Sequence, residues 1–123
     1  MNVSTREQGN FGEGLAVKYL LKNNYQILAK NYKKKTGEID IVALEEKGTV
    51  VFFEVKARMS EKFGEPEEAV TRQKQHKIIR TVQWFLKEHK IEDRKFRIDV
   101  LALKLDNEHK MAKIRHIFNA IGE

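Results

Sequence analysis

The chain has 123 residues, enough for one domain built on one hydrophobic core. Hydrophobic residues make up 41% of it and no apolar run approaches a membrane span, which argues against global disorder and against a transmembrane helix. Lys and Arg number 24 against 18 Asp and Glu, a net +6 that suits a polyanionic partner, and with no cysteine any metal site must use carboxylates, His or carbonyls.

The first eight residues lack the apolar core of a signal peptide, so a cytoplasmic protein is the default expectation. Residues 5–23 read as a helix, with Ser4 or Thr5 as cap and Leu15, Ala16, Tyr19 and Leu20 as its apolar stripe. Glu13 sits at the edge of that stripe, among Gly9, Gly12 and Gly14. It reads either as a solvated acid near a helix start or as a group aimed at a site. The glycines, each costly in a helix, mark close backbone approach or a frayed start.

Tyr25 to Tyr32 reads as a first strand, ending in the basic run Lys33, Lys34 and Lys35 before a turn at Thr36 and Gly37. Such a run is either a solvated loop or a set of phosphate contacts. Residues 38–45 and 49–58 then read as two strands around a three-residue loop, Glu46, Lys47 and Gly48, with Gly48 in a left-handed conformation. Closing Glu45 on Thr49 sets Asp40 opposite Glu54 and Glu38 opposite Lys56. Alternation puts Ile39, Ile41 and Ala43 with Val51, Phe53, Val55 and Ala57 on one apolar face. The expectation is a hairpin buried on one side, with acids at one end of the other. Directly opposed carboxylates repel, and one proton or one hard cation must settle them.

Residues 59–69 read as a loop carrying the only proline, Pro66, with Phe63 as a core plug or a group near a base. Residues 67–90 read as a second helix, started by Pro66, Glu67 and Glu68 and buried through Ile78, Ile79, Val82, Phe85 and Leu86. Lys74 either snorkels or reaches toward the acidic site, Arg72, His76, Lys77 and Arg80 make a basic flank, and Trp84 reads as a large core residue with its N–H at the rim. Phe96 to Leu105 alternates as a strand in which Asp99 is either a fourth acid near the site or a partner for a basic group. A turn at 106–110 leads to a last, edge strand from Met111 to Ile117. No linker divides residues 1–123, which read as a single domain in the order αβββαββ. No glycine-rich phosphate loop appears, and His76, His89, His109 and His116 lack metal-ligand spacing.

Asp40, followed after thirteen residues by Glu54–Val55–Lys56, resembles the Asp…(Asp/Glu)-x-Lys signature of the restriction-endonuclease-like superfamily, with Ile39 where that motif has proline. Gly12–Ala16, Gly37–Val42, Phe52–Arg58, Phe63–Val70, Lys74 and Phe96–Val100 together resemble the YraN family, uncharacterised protein family 0102, small bacterial proteins similar to archaeal Holliday-junction resolvases. The resemblance implies a nuclease-like α/β core with a mixed five-stranded sheet flanked by helices. The acids converging within a basic surround make a bacterial endonuclease for branched or damaged DNA the first hypothesis, and the lack of a long apolar run leaves no membrane partner expected. Asp40, Glu54, the Val55 carbonyl and Glu13 would hold Mg²⁺ or Mn²⁺, and Lys56 would act on the attacking water. Glu38, Lys74 and Asp99 are expected as auxiliary groups, and Lys33, Lys34, Lys35, Arg58, Arg72 and Lys77 as phosphate contacts. A homodimer is one expectation, since junction resolvases cut as two-fold pairs. The rival readings are a nucleic-acid-binding module that keeps the fold without cutting, and a plain structural domain.

Overall fold

The structure, a computed structural model, describes residues 5–59, 71–106 and 112–122. Its elements are α1 (Thr5–Lys22), β1 (Gln26–Lys34), β2 (Gly37–Leu44), β3 (Val50–Met59), α2 (Arg72–Glu88), β4 (Phe96–Leu105) and β5 (Ala112–Ile121). The strands form one mixed sheet in the order β1-β2-β3-β4-β5. β3 and β4 run parallel, and every other neighbouring pair is antiparallel. A parallel neighbour needs a crossover, and the segment holding α2 supplies it. The order αβββαββ is the expected one.

The β2–β3 loop forms as its sequence suggests. Gly48 adopts φ +97°, its N–H donates to the Glu45 carbonyl at 2.9 Å, and Glu45 N–H donates to Thr49 O at 2.9 Å. The register follows, with Ile41 beside Phe53 and Leu44 beside Val50.

The expectation of one buried side needs correction, because the sheet is covered on both faces. Ile41, Ala43, Val51, Phe53, Leu101 and Leu103 pack with Ala16 and Leu20 of α1. Val42, Val50, Phe52, Ile98 and Val100 pack with Ile78, Val82, Phe85 and Leu86 of α2. Strands sandwiched in this way lose the clean apolar–polar alternation of a half-wet sheet. Ile39 also departs from strict alternation, joining Val42 on the α2 side rather than Ile41.

Gly12 explains one of the α1 glycines. A Cβ there would stand 2.7 Å from the Ala57 Cβ, so α1 crosses β3 with almost no gap. A Cβ on Gly14 would meet nothing within 4 Å.

α2 starts at Arg72, with Thr71 as cap: its φ of −72° and ψ of 163° are extended, and its side chain accepts from Lys74 N–H at 3.2 Å. Of the helix expected over 67–90, the described part is α2 from Arg72 to Glu88; Phe63, Pro66, Glu67 and Glu68 lie outside the described residues, as do the Ser4 cap and the turn at 107–110. β5 also runs past Ile117 to Ile121, across a bulge between Ile98 and Val100. Ile117 and Ile121 both pack on the α2-side core, which holds the strand on either side of the irregularity.

Candidate active site

The site begins where the β2 ladder stops. The β1–β2 register couples Lys30 with Ile41 and Tyr32 with Ile39, passing over Asn31 and Asp40. Asn31 has φ +52°, a left-handed conformation that Asn tolerates and a continuous strand does not use. On the other side, the β2–β3 ladder reaches only Ile41 and Phe53. Asp40 therefore lacks a ladder partner on either side, and its Oδ2 accepts from the Val55 N–H at 2.7 Å instead. The carboxylate takes the place of a strand, and Glu54 comes beside it on β3.

Glu54 is buried, and its Oε1 has no hydrogen-bond partner. Its Oε2 lies 3.8 Å from Lys56 Nζ, with side-chain exposures of 11% and 16% for the two residues. Burial pushes Glu54 up to about 8; the Asp40 charge adds to the rise and Lys56 opposes it. Burial also raises Asp40 to about 6, against the lowering effect of the Val55 N–H, while the Glu38 and Glu13 charges push it further up. Two neighbouring acids thus resist ionising together, a condition a cation relieves.

Asp40, Glu54 and Lys56 come together as the strand spacing suggests. Val55 meets Asp40 through its N–H, and its carbonyl remains a candidate ligand. Glu13 is close enough for its charge to act on Asp40, yet its Oε2 accepts from Asn31 Nδ2 at 3.0 Å. Among the described residues no group of three Asp, Glu or His could hold a metal ion. Glu38 is exposed and acts through charge; Lys56 pairs with Glu54 rather than with Glu38. Lys74, in the first turn of α2, also acts on Glu54 through its charge.

Asp99 does not join the site. It is wholly buried beside Phe53 on the α1 side of the sheet, whereas Glu54 lies beside Val100 on the other. Its carboxylate accepts from Arg97 Nε at 3.1 Å and from Asn119 N–H at 2.8 Å, and lies 2.7 Å from His116 Nε2. Arg97 goes on to Glu45 at 2.8 Å and to the Tyr25 hydroxyl at 2.9 Å, and Tyr19 meets His116 Nδ1 at 2.9 Å. Hydrogen bonding to Arg97 holds Glu45 below the ordinary carboxylate range. Asp99 is the centre of a satisfied structural network.

The basic residues divide. Arg58 is anchored through the Ala57 carbonyl at 2.9 Å, at the site end of β3. Arg72 and Lys77 are exposed on α2, and Lys33 and Lys35 are exposed around the β1–β2 turn. Lys34 is drawn to Glu88 near the C-terminal end of α2 and is no part of the acidic cluster. Asn31 and the partners of Asp99 were not singled out from the sequence. An Asn inside a run of strand formers was the signal available for the first.

These features define an α/β domain with a buried carboxylate, Glu54, a half-buried one, Asp40, and a lysine at the opened end of a hairpin. The model of Uncharacterised protein family UPF0102 matches residues 12–103, and the chain belongs to that family. It is 41% identical over 119 residues to a UPF0102 protein of Caldicellulosiruptor bescii, covering 96% of this chain and 99% of the relative. It is 46% identical over 98 residues to one from Sulfurihydrogenibium sp., covering 80% and 84%. Among solved structures it is similar to a repair endonuclease from Pyrococcus abyssi, at 14% identity and TM-score 0.44, over 80% of this chain and 37% of that one. It is also similar to the protein in the EndoMS-dsDNA2 complex, at 16% identity and TM-score 0.43, over 72% and 34%. The chain spans about a third of the length of those two structures.

Proposed function

We propose that this protein is a metal-dependent endonuclease that hydrolyses DNA phosphodiester bonds, with branched or damaged DNA as its substrate class. The observation that carries this reading is Glu54 Oε1, a buried carboxylate oxygen without a partner, beside Asp40 and close to Lys56. Such an oxygen is costly unless a ligand satisfies it. The donors are hard oxygens, which suit Mg²⁺ or Mn²⁺, and Mg²⁺ is commonly held by only one or two carboxylates with water. Asp40 and Glu54, with the Val55 carbonyl, would hold the cation, and Glu13 would reach it through water.

A bound cation supplies Lewis acidity and a lowered water pKa. Lys56 orients the attacking water and offsets the negative charge that builds on the phosphate. Arg58, Lys74 and Arg72 draw the phosphate backbone toward the acids. The binding-module rival draws on Glu13, whose bond to Asn31 leaves two acids rather than three at the centre.

The test is nicking of supercoiled plasmid, and cutting of linear, flapped and four-way DNA, with Mn²⁺. Wild type should cut, and Asp40→Asn should lose about 100-fold or more, as expected when a charge-stabilising group is removed. Equal cutting by both proteins, or cutting in EDTA, would refute the reading. Salt-dependent binding with no turnover would select the non-catalytic module.

A further inference from the structure

Trp84 is the only tryptophan in the chain and is not the core residue its sequence suggests: it stands 45% exposed on the outer face of α2. Ile78, Val82, Phe85 and Leu86 already fix the helix to the sheet. The indole is instead surrounded by cations. Lys34 and Lys87 bring their ammonium groups to 5.8 and 5.9 Å from its ring centre. With Thr36, Arg80, Gln83 and Lys87 it lines an open depression of about 410 Å³.

Arg80 and Gln83 also line a second depression, of about 600 Å³, that extends to Arg72 and His76. The two make one furrow along α2. The helix carries five Lys and Arg against one acid, Glu88, which is engaged by Lys34 and by the Tyr32 hydroxyl. Thr36 Oγ1 lies 2.7 Å from Thr81 Oγ1, which seats the β1–β2 turn, and with it Lys34, against this helix.

We propose that this furrow binds single-stranded nucleic acid, with a base stacked on Trp84 and the flanking phosphates on Arg80, Lys87 and Lys34. Charge alone would suit any polyanion. An exposed indole among cations selects one that also offers aromatic faces. Duplex DNA keeps those faces stacked, and an acidic peptide does not supply them along its backbone. Lys74, whose charge acts on Glu54, lies ten residues before Trp84 on the same helix. That is roughly 15 Å along the axis. The inference rests on the proposed nuclease only for the identity of the polymer, and needs neither metal nor acids.

The single tryptophan makes the site its own reporter. In EDTA, oligothymidylate should quench the emission saturably, whereas heparin, a polyanion without bases, should not. By anisotropy of a labelled oligothymidylate, Trp84→Ala should bind roughly 5- to 100-fold more weakly, and Trp84→Phe should retain most of the affinity. Arg80→Ala keeps the indole, and should bind several-fold more weakly with quenching preserved at saturation. Equal affinity of Trp84→Ala and wild type, or equal quenching by heparin, a duplex and oligothymidylate, would overturn the proposal. Cleavage without this binding would overturn it while leaving the nuclease intact; binding without cleavage would do the reverse.

Discussion

Replacing Glu54 with Gln should make the metal-free protein more stable near neutral and alkaline pH, and should remove its response to Mn²⁺. Burial raises this carboxyl from 4.5 to about 8, so the folded state keeps a proton that the unfolded chain has already released. The unfolded state therefore binds fewer protons between these two values, and stability falls as pH rises through them. Below 4.5 both states are protonated and the penalty is absent. At ~1.4 kcal/mol per pKa unit, the full penalty near pH 8 is on the order of 4 kcal/mol. Water entering a site at the end of a ladder lowers the realised cost. Glu54→Gln should accordingly gain about 2 kcal/mol near pH 8 and under ~1 kcal/mol near pH 5. Urea unfolding in EDTA at both pH values measures this directly. Adding Mn²⁺ near pH 8 should raise the urea midpoint of the wild type and leave that of the variant in place. A wild type whose stability does not change over this range, or a variant with the same pH slope, would refute the burial argument.

Gly12→Ala should lose about 1–2 kcal/mol by urea unfolding, because the Cβ placed 2.7 Å from Ala57 overpacks a tight crossing by more than the helix gains. Gly14→Ala, with open space around it, should instead gain about 0.5–1 kcal/mol; loss in both would mean that α1 is set by something other than the Ala57 contact. Asp99→Ala should cost roughly 3–5 kcal/mol, since it leaves Arg97, His116 and the Asn119 N–H without their buried acceptor. Its folded fraction should still bind Mn²⁺ in a thermal-shift titration as wild type does, and a lost metal response at full folding would return Asp99 to the acidic site.

The period-two pattern of residues 38–58 was sufficient to find the hairpin, its glycine turn and the approach of Asp40 to Glu54. A three-residue loop with Gly48 in a left-handed conformation leaves little choice of register. The same pattern could not reveal that Val42, Val50 and Phe52 face a second helix, because an apolar residue reads alike on either face of a sandwiched sheet. It also could not assign Asp99 or Trp84. A lone acid in an apolar strand is explained only by partners distant in sequence, here His116 and Asn119. A tryptophan next to Phe85 at the edge of a helical stripe falls inside or outside according to a rotation of a few tens of degrees. Ile78, Val82 and Phe85 settle that rotation with the sheet, and leave Trp84 outside.

Two of the sheet's irregularities, at Asn31 and at Asn119, use the same device with opposite consequences. At one, Asn31 turns left-handed and Asp40 takes the Val55 N–H. At the other, Asn119 turns left-handed and Asp99 takes the Asn119 N–H. In each, a carboxylate accepts a backbone donor, as buried donors require. The surroundings then differ. Asp99 is bracketed by a guanidinium and an imidazole that consume its remaining capacity. Asp40 faces Glu54, another acid, and the nearby ammonium of Lys56 reaches only one Glu54 oxygen, at 3.8 Å, leaving the other unmatched. A fold gains nothing by burying Glu54 beside a second, half-buried acid with one distant lysine, since a buried carboxyl without a full set of partners destabilises it. The cost is retained at one irregularity and absent at the other, and that asymmetry is the physical reason for taking the Asp40–Glu54 end as the candidate site and Asp99 as scaffold.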